Sequence, residues 1–357
     1  MAMQPERNRE QADSKSGIWW WFFLMIAICA SLQPMHAEDC ASCATATADT
    51  AALDGGWSLK KEVNEVHVVF LASHDNKPVD LAPGDIVLRD DNKEPAAVLG
   101  FRNEHELPMR VGMVIDASSS VTSRFRFEQA AASMFLREAL SRTGDLGFVM
   151  GFSNHATVTQ DFSDSPELLT KGVGALKADG GTALYDAVRT ACRKLQRRPE
   201  HDMVARVLVI LSDGQNNAGE ASLQDAIAAA QQADVTIYAV STNYPTSYIQ
   251  QDLGAIEGNK NLHQLAEQTG GRVLMPPTPK GLDKAFAKIS DELRSRYAIS
   301  YRPADFATDG HYRKIKIEAR KGGEKIQIRA RKGYYARVAS SDDSESQPAD
   351  SNVIASR

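Results

Sequence analysis

Four cysteines in 357 residues are too few to build a disulfide framework. Cys29 lies in an apolar run near the amino terminus, Cys40 and Cys43 form a Cys-Ala-Ser-Cys pair, and Cys192 stands alone in a helical pattern. The pair sits in an Ala/Thr-rich stretch rather than between a strand and a helix, so it lacks the setting of a redox motif. A local disulfide and two unpaired thiols remain as its readings. Positive charge is also short: a net charge of -5 and a pI near 5.9 argue against nucleic acid as a partner, because that recognition rests on concentrated basic surface. Catalytic signatures are missing as well. No G-x-S-x-G elbow, Walker loop, G-x-G-x-x-G after a strand or H-E-x-x-H occurs. His155 and His201 fall in loop-like surroundings and Ser118 has no histidine near it in sequence. No catalytic residue is assigned, and a non-enzymatic role is expected.

Long hydrophobic runs are reduced to one. Ile18–Leu32 is apolar but for Ser31, yet shorter than the roughly 20 residues that span a bilayer comfortably. A charged amino terminus precedes it and Ala37 offers a small residue before Glu38, which reads as a secretory signal over 1–37. The leading region has three basic and three acidic residues, a weak charge bias for such a signal. Ile28, directly before Cys29, argues against lipoprotein processing. The expectation is export to the periplasm, cell surface or exterior, with membrane association only through an uncleaved segment.

What is present is ordered in blocks. Residues 38–58, small and polar, read as a linker; 59–105 carries three short strand signals separated by Asn/Asp turns. From 108 to 296 strand and helix signals alternate, the rhythm of a parallel sheet covered on both faces. Apolar strands are predicted at 110–115, 146–152, 206–212, 235–241 and 272–275, with 157–162 as an antiparallel edge. Helices are predicted near 124–140, 166–176, 183–195, 222–232, 261–268 and 281–296. Residues 297–336 return to β patterning, and 337–357 read as a Ser/Asp-rich disordered tail. The two β segments could pair into one small sandwich, since neither alone buries much apolar area. The fold class is therefore α/β, a doubly wound, mostly parallel, Rossmann-like sheet flanked by short β segments. Thr242–Asn261 reads as a long connection on the same side as the strand ends, where loops carry specificity.

The chemistry concentrates where the first apolar strand of this region ends. Val111–Ile115 delivers Asp116-Ala-Ser118-Ser-Ser120; Gly180-Gly-Thr182 opens a helix; and Val207–Ser212 delivers Asp213-Gly214. Carboxylate and hydroxyl oxygens suit a hard ion, Mg2+ first with Mn2+ or Ca2+ as alternatives. Loops beyond the carboxyl ends of parallel strands are where open α/β sheets bind ligands. Each piece has a plainer reading, since Ser118, Ser120 and Thr182 could cap helices and Asp213-Gly214 could be a turn. Together the five residues Asp116, Ser118, Ser120, Thr182 and Asp213 match the metal-ion-dependent adhesion site of von Willebrand factor A domains.

The chain thus resembles von Willebrand factor A-related secreted bacterial proteins over roughly 60–336, with Lys332-Gly-Tyr-Tyr335 as a weaker supporting match. The resemblance implies direct ligation by Ser118 and Ser120, with Thr182 direct or through water. It implies that Asp116 and Asp213 hold coordinated waters, and that a partner protein's Asp or Glu carboxylate completes the shell. An accessory subunit of an envelope machine is the second function it allows, and an enzyme with an unrecognised site the third. Val121-Thr-Ser-Arg-Phe-Arg126 lacks the acidic residues with which integrin β subunits build an adjacent calcium site, so one ion is expected. Asp179 is read as second-shell support or a plain turn. The basic residues of 313–332 read as a solvated sheet face, with anionic cell-surface polymer as the alternative contact.

Overall fold

The computed structural model describes residues 65–336 apart from 76, 104–106, 201–203, 245–252, 306 and 308. The signal, the linker with Cys40 and Cys43, His201, Tyr248 and the 337–357 tail lie outside the described residues. In chain order the elements are β1 (Val66–His74), β2 (Lys77–Pro78), β3 (Ile86–Asp90), β4 (Ala97–Asn103), β5 (Met109–Asp116), α1 (Phe125–Ala139), β6 (Leu146–Phe152), β7 (Ala156–Ser163), α2 (Pro166–Ala175) and α3 (Leu184–Arg197). There follow β8 (Ala205–Ser212), α4 (Leu223–Gln232), β9 (Val235–Ser241), α5 (Leu253–Gln268), β10 (Val273–Leu274), α6 (Leu282–Leu293), β11 (Arg296–Arg302), β12 (Tyr312–Lys321), β13 (Glu324–Ala330) and β14 (Gly333–Tyr335).

Six strands form the α/β sheet in the order β10-β9-β8-β5-β6-β7. All pairings are parallel except β6 with β7, the expected antiparallel edge. The runs are continuously apolar because both faces are covered. On one side Val111, Met113 and Ile115 of β5 and Val207, Val209 and Leu211 of β8 pack with α1, α2 and α6. On the other, Val114 and the alternate β8 residues Leu208 and Ile210 pack with α3, α4 and α5. Cys192 lies in this second core, where burial pushes its thiol above the ordinary range. Helix starts follow local chemistry: Ser222 and Asp225 form a reciprocal capping box at α4, worth on the order of 1 kcal/mol.

The chain departs from β5 in opposite directions. After β5 it goes outward through β6 to β7, then returns to lay β8 against the other side of β5 and continues outward to β9 and β10. The crevice between the carboxyl ends of β5 and β8 is therefore a topological switch point, the place where such sheets bind ligands.

The two flanking β segments do pair. They interleave into one eight-stranded sheet with the path β14-β12-β13-β1-β11-β4, in which β2 joins β1 and β3 joins β12. The sheet curls over itself, since Phe70 of β1 and Ile299 and Tyr301 of β11 share one core with Leu88 of β3, Ile315 of β12 and Tyr334 of β14. Buried Asp90, at the end of β3, ties the halves together: its Oδ2 accepts the hydroxyls of Tyr301 and Tyr334, each at 2.8 Å.

One expectation is corrected. α5 begins at Leu253, not near 261, so much of the supposed 242–261 connection is helix. Gly254 and Gly258 in its first turns, with Leu253 and Ile256 exposed, mask the helical signal, because glycine costs roughly 1 kcal/mol against alanine inside a helix.

Asp90→Ala should strip two buried hydroxyls of their acceptor at about 1–3 kcal/mol each, and Tyr334→Phe should cost only about 1 kcal/mol. Urea unfolding of both variants checks the ranking; equal midpoints would remove Asp90 as the tie between the halves.

Candidate metal centre

Asp116 is the last residue of β5 and is fully buried. Its Oδ1 accepts the Ser118 N–H at 2.9 Å, which folds the chain back over the strand end. Its Oδ2 accepts the Ser212 hydroxyl at 2.8 Å, from the last residue of the neighbouring β8. Ser118 is buried and Ser120 exposed, and their hydroxyl oxygens lie 3.0 Å apart. The loop thus turns alternate side chains toward one point.

Backbone hydrogen bonds bring the second segment to the first. Ser119 N–H donates to Gly180 O at 3.0 Å and Asp179 N–H to Ala117 O at 2.8 Å. Gly180 has φ of +81°, a conformation glycine adopts without steric cost. Thr182 is buried and bracketed: its N–H donates to Asn217 Oδ1 at 2.8 Å, and its carbonyl accepts the N–H groups of Asn217 and Ala218, both at 3.0 Å. Asp213, also buried, follows β8; its Oδ1 accepts the Gln215 N–H at 3.0 Å.

Ser118, Ser120 and Thr182 cap nothing: α1 and α3 begin after Arg124 and Ala183, neither with a side-chain cap, and the short 3-10 turn at Ser119–Val121 has none from Ser118. Their hydroxyls are free of the plainer duty. Asp213 does serve its turn, but with one oxygen. Asp179 acts through its backbone and its side chain is exposed, which favours the turn reading.

The electrostatics ask for a cation. Burial is the main cause that raises the Asp116 pKa above the ordinary carboxylate value, and nearby Asp213 raises it further; hydrogen bonds from Ser118 and Ser212 work against both. Glu128, buried in the first turn of α1, is pushed up to about 7, chiefly by burial, and feels both aspartates as well. Its partner is Arg124, at 2.9 Å, which also donates to Ser120 O and Thr242 Oγ1, both at 3.3 Å. Arg124 is thus paired with Glu128, which in turn feels the two buried aspartates. Among the described residues no three His, Cys, Asp or Glu side chains gather to hold a metal, so the donor set at this crevice depends on its hydroxyls. Two buried carboxylates with neutral hydroxyls beside them suit a hard divalent cation.

The sequence did not single out the supporting residues. Ser212 adjoins Asp213 and was hidden in the strand; Asn217 looked like loop. Gly258 is the least expected. It sits inside α5, where any Cβ would strike the carbonyl of Asp213, and Gly214, at φ +79°, would likewise strike Gly258 O. Asn243 Nδ2 donates to the same Asp213 carbonyl at 2.7 Å. Above Arg124 lies the ring of Tyr244, 6.0 Å from the guanidinium carbon.

The α/β sheet with hydroxyl and carboxylate loops at its switch point defines an A-type domain. Residues 111–288 match the family model of the von Willebrand factor type A domain, and this part of the chain belongs to that family. The chain is also similar to several solved structures. One is a von Willebrand factor type A protein from Catenulispora acidiphila, at 14% identity over 76% of this chain and 77% of that one, TM-score 0.43. Another is an aerotolerance-related membrane protein from Bacteroides fragilis, at 17% identity over 52% and 98%, TM-score 0.41. A third is the vWF domain of a type V pili tip protein from Porphyromonas gingivalis, at 15% identity over 52% and 94%, TM-score 0.42. No curated protein matches the chain in sequence.

In chelator-treated protein the raised Glu128 pKa has a definite sign. The folded state keeps that proton up to about pH 7 while the unfolded chain loses it near 4.5, so stability falls as pH rises across that window. Thermal melts from pH 5 to 8 should show a smaller decline for Glu128→Gln than for the parent; parallel slopes would show that Glu128 is not the group responsible. Gly258→Ala, overpacked against Asp213, should lose about 1–3 kcal/mol in urea unfolding.

Proposed function

We propose that this chain binds one divalent cation, Mg2+ by preference, at the crevice between β5 and β8, and through it the carboxylate of a protein partner. Ser118 and Ser120 would contact the ion, Thr182 directly or through water, and Asp116 and Asp213 through coordinated waters. The observation that supports this reading is that the three segments carrying these side chains meet at one switch-point crevice, with the hydroxyls released from capping. Hydroxyl ligands bring no formal charge, so a bound ion keeps the electrophilicity to accept one more carboxylate.

The role is binding rather than catalysis. Ser118 Oγ is engaged with Ser120 Oγ and the Asp116 carboxylate, and no histidine pairs with it among the hydrogen bonds of the described residues. Exposed Phe127, Leu253 and Ile256 lie on α1 and α5, near the ends of those helices that flank the crevice, and supply apolar surface for a partner. The amino-terminal run Ile18–Leu32 supports export, so the partner would be met outside the cytoplasm.

Calorimetric titration of Mg2+ and Mn2+ into the full chain should give a single saturable site. Asp116→Ala should weaken it by about 10–100-fold, the usual effect of losing a group that orients a metal shell. Absence of binding at millimolar ion would end the reading.

A further inference from the structure

At the opposite end of the parallel strands lies a cavity of about 740 Å³, between the curled sheet and the starts of β5, β8 and β9. That volume is within the range of roughly 300–1,000 Å³ typical of small-molecule sites. Its walls carry Arg102, Arg206, Arg296 and Arg331 against Glu200 and Asp234. Both acids are already engaged: Glu200 accepts Arg110 through two bonds of 2.7 Å and also pairs with Arg198, while Asp234 pairs with Arg331. Among the described residues the cavity is therefore cationic on balance.

Arg296 is the anomaly. It begins β11, is 2% exposed, and none of its three guanidinium nitrogens has a hydrogen-bond partner. Among the described residues its compensation is the face of Tyr238, 5.4 Å from the guanidinium carbon. Arginine cannot shed its proton in a protein, and one cation–π contact offsets only part of the cost of an unpaired buried charge. Arg331 repeats the pattern in part: its outer nitrogens hold Asp234 and the His67 carbonyl, at 2.8 Å for the latter, but its Nε has no partner. Two arginines with idle donors thus line one cavity, and the guanidinium group is matched to an oxyanion.

We propose that this cavity binds a small organic molecule bearing a carboxylate or phosphate, whose oxyanion takes the idle donors of Arg296 and Arg331. The guanidinium nitrogens of Arg296 and the Nε of Arg331 are covered as they stand, so binding requires these side chains to turn toward the cavity that both residues line. Val69, Leu107 and Val235 in the same wall would hold the apolar remainder. The site is independent of the cation centre, which lies beyond the other ends of β5 and β8.

The test is a thermal-shift titration of the full chain with inorganic phosphate and with succinate, in chelator, against sodium chloride at equal ionic strength. Either oxyanion should raise the melting temperature saturably and chloride should not. Arg296→Met should lose at least tenfold in apparent affinity while melting no lower than the parent without anion, because an unpaired buried charge has been removed. Arg102→Gln, at an exposed position on the wall, tests the same field without disturbing the core and should weaken the response severalfold. The proposal is overturned if phosphate and succinate act no more strongly than chloride, or if both variants keep the parent's response.

Discussion

A carboxylate buried at the junction of two strands sets the terms for one end of this molecule. Asp116 can be tolerated there only because Ser118 N–H and the Ser212 hydroxyl meet its two oxygens, and those contacts fix the serine loop and hold the ends of β5 and β8 in step. The loop in turn binds the Gly-Gly-Thr segment through its backbone. Remove the charge and the reason for this arrangement goes with it; keep the charge, and the nearby Asp213 sets a second carboxylate against it.

Much of this was legible in the sequence because the signals were local and mutually consistent. Val111–Ile115 and Val207–Ser212 could be read as strands buried on both faces, and the polar residues that end them stood out against that background. The resemblance supplied the roles, and the fold supplied the convergence. The start of α5 was hidden for the opposite reason. Gly258 weakens the helix locally, and its purpose is the close approach to Asp213, a contact between residues far apart in sequence. A local rule broken at a functional site is the expected pattern.

The curled sheet shows a second kind of limit. Alternating Ile315, Ile317, Ile326 and Ile328 announced strands with one buried face, but pairing partners cannot be read from alternation. β3 pairs with β12 and β1 with both β11 and β13, across separations that span the whole α/β region. Arg296 was equally invisible, since an arginine at the edge of a strand signal reads as solvated until the layer above it is known.

The α/β region leaves the curled sheet after β4 and returns at β11, and those two strands are hydrogen-bonded neighbours, with Tyr297 opposite Asn103. The region is thus a closed excursion from one sheet. Tension applied between residues on β1 and β14 would travel through the hydrogen bonds of the curled sheet and bypass the parallel one. A pull through a ligand held at the β5–β8 crevice would load the α/β region directly, and would reach the curled sheet through the adjoining strands β4 and β11 and through contacts such as Lys332 N–H with Gln268 O. Mechanically the molecule is a plug on a two-pronged base, and its grip can be stressed without stretching the segments that build it.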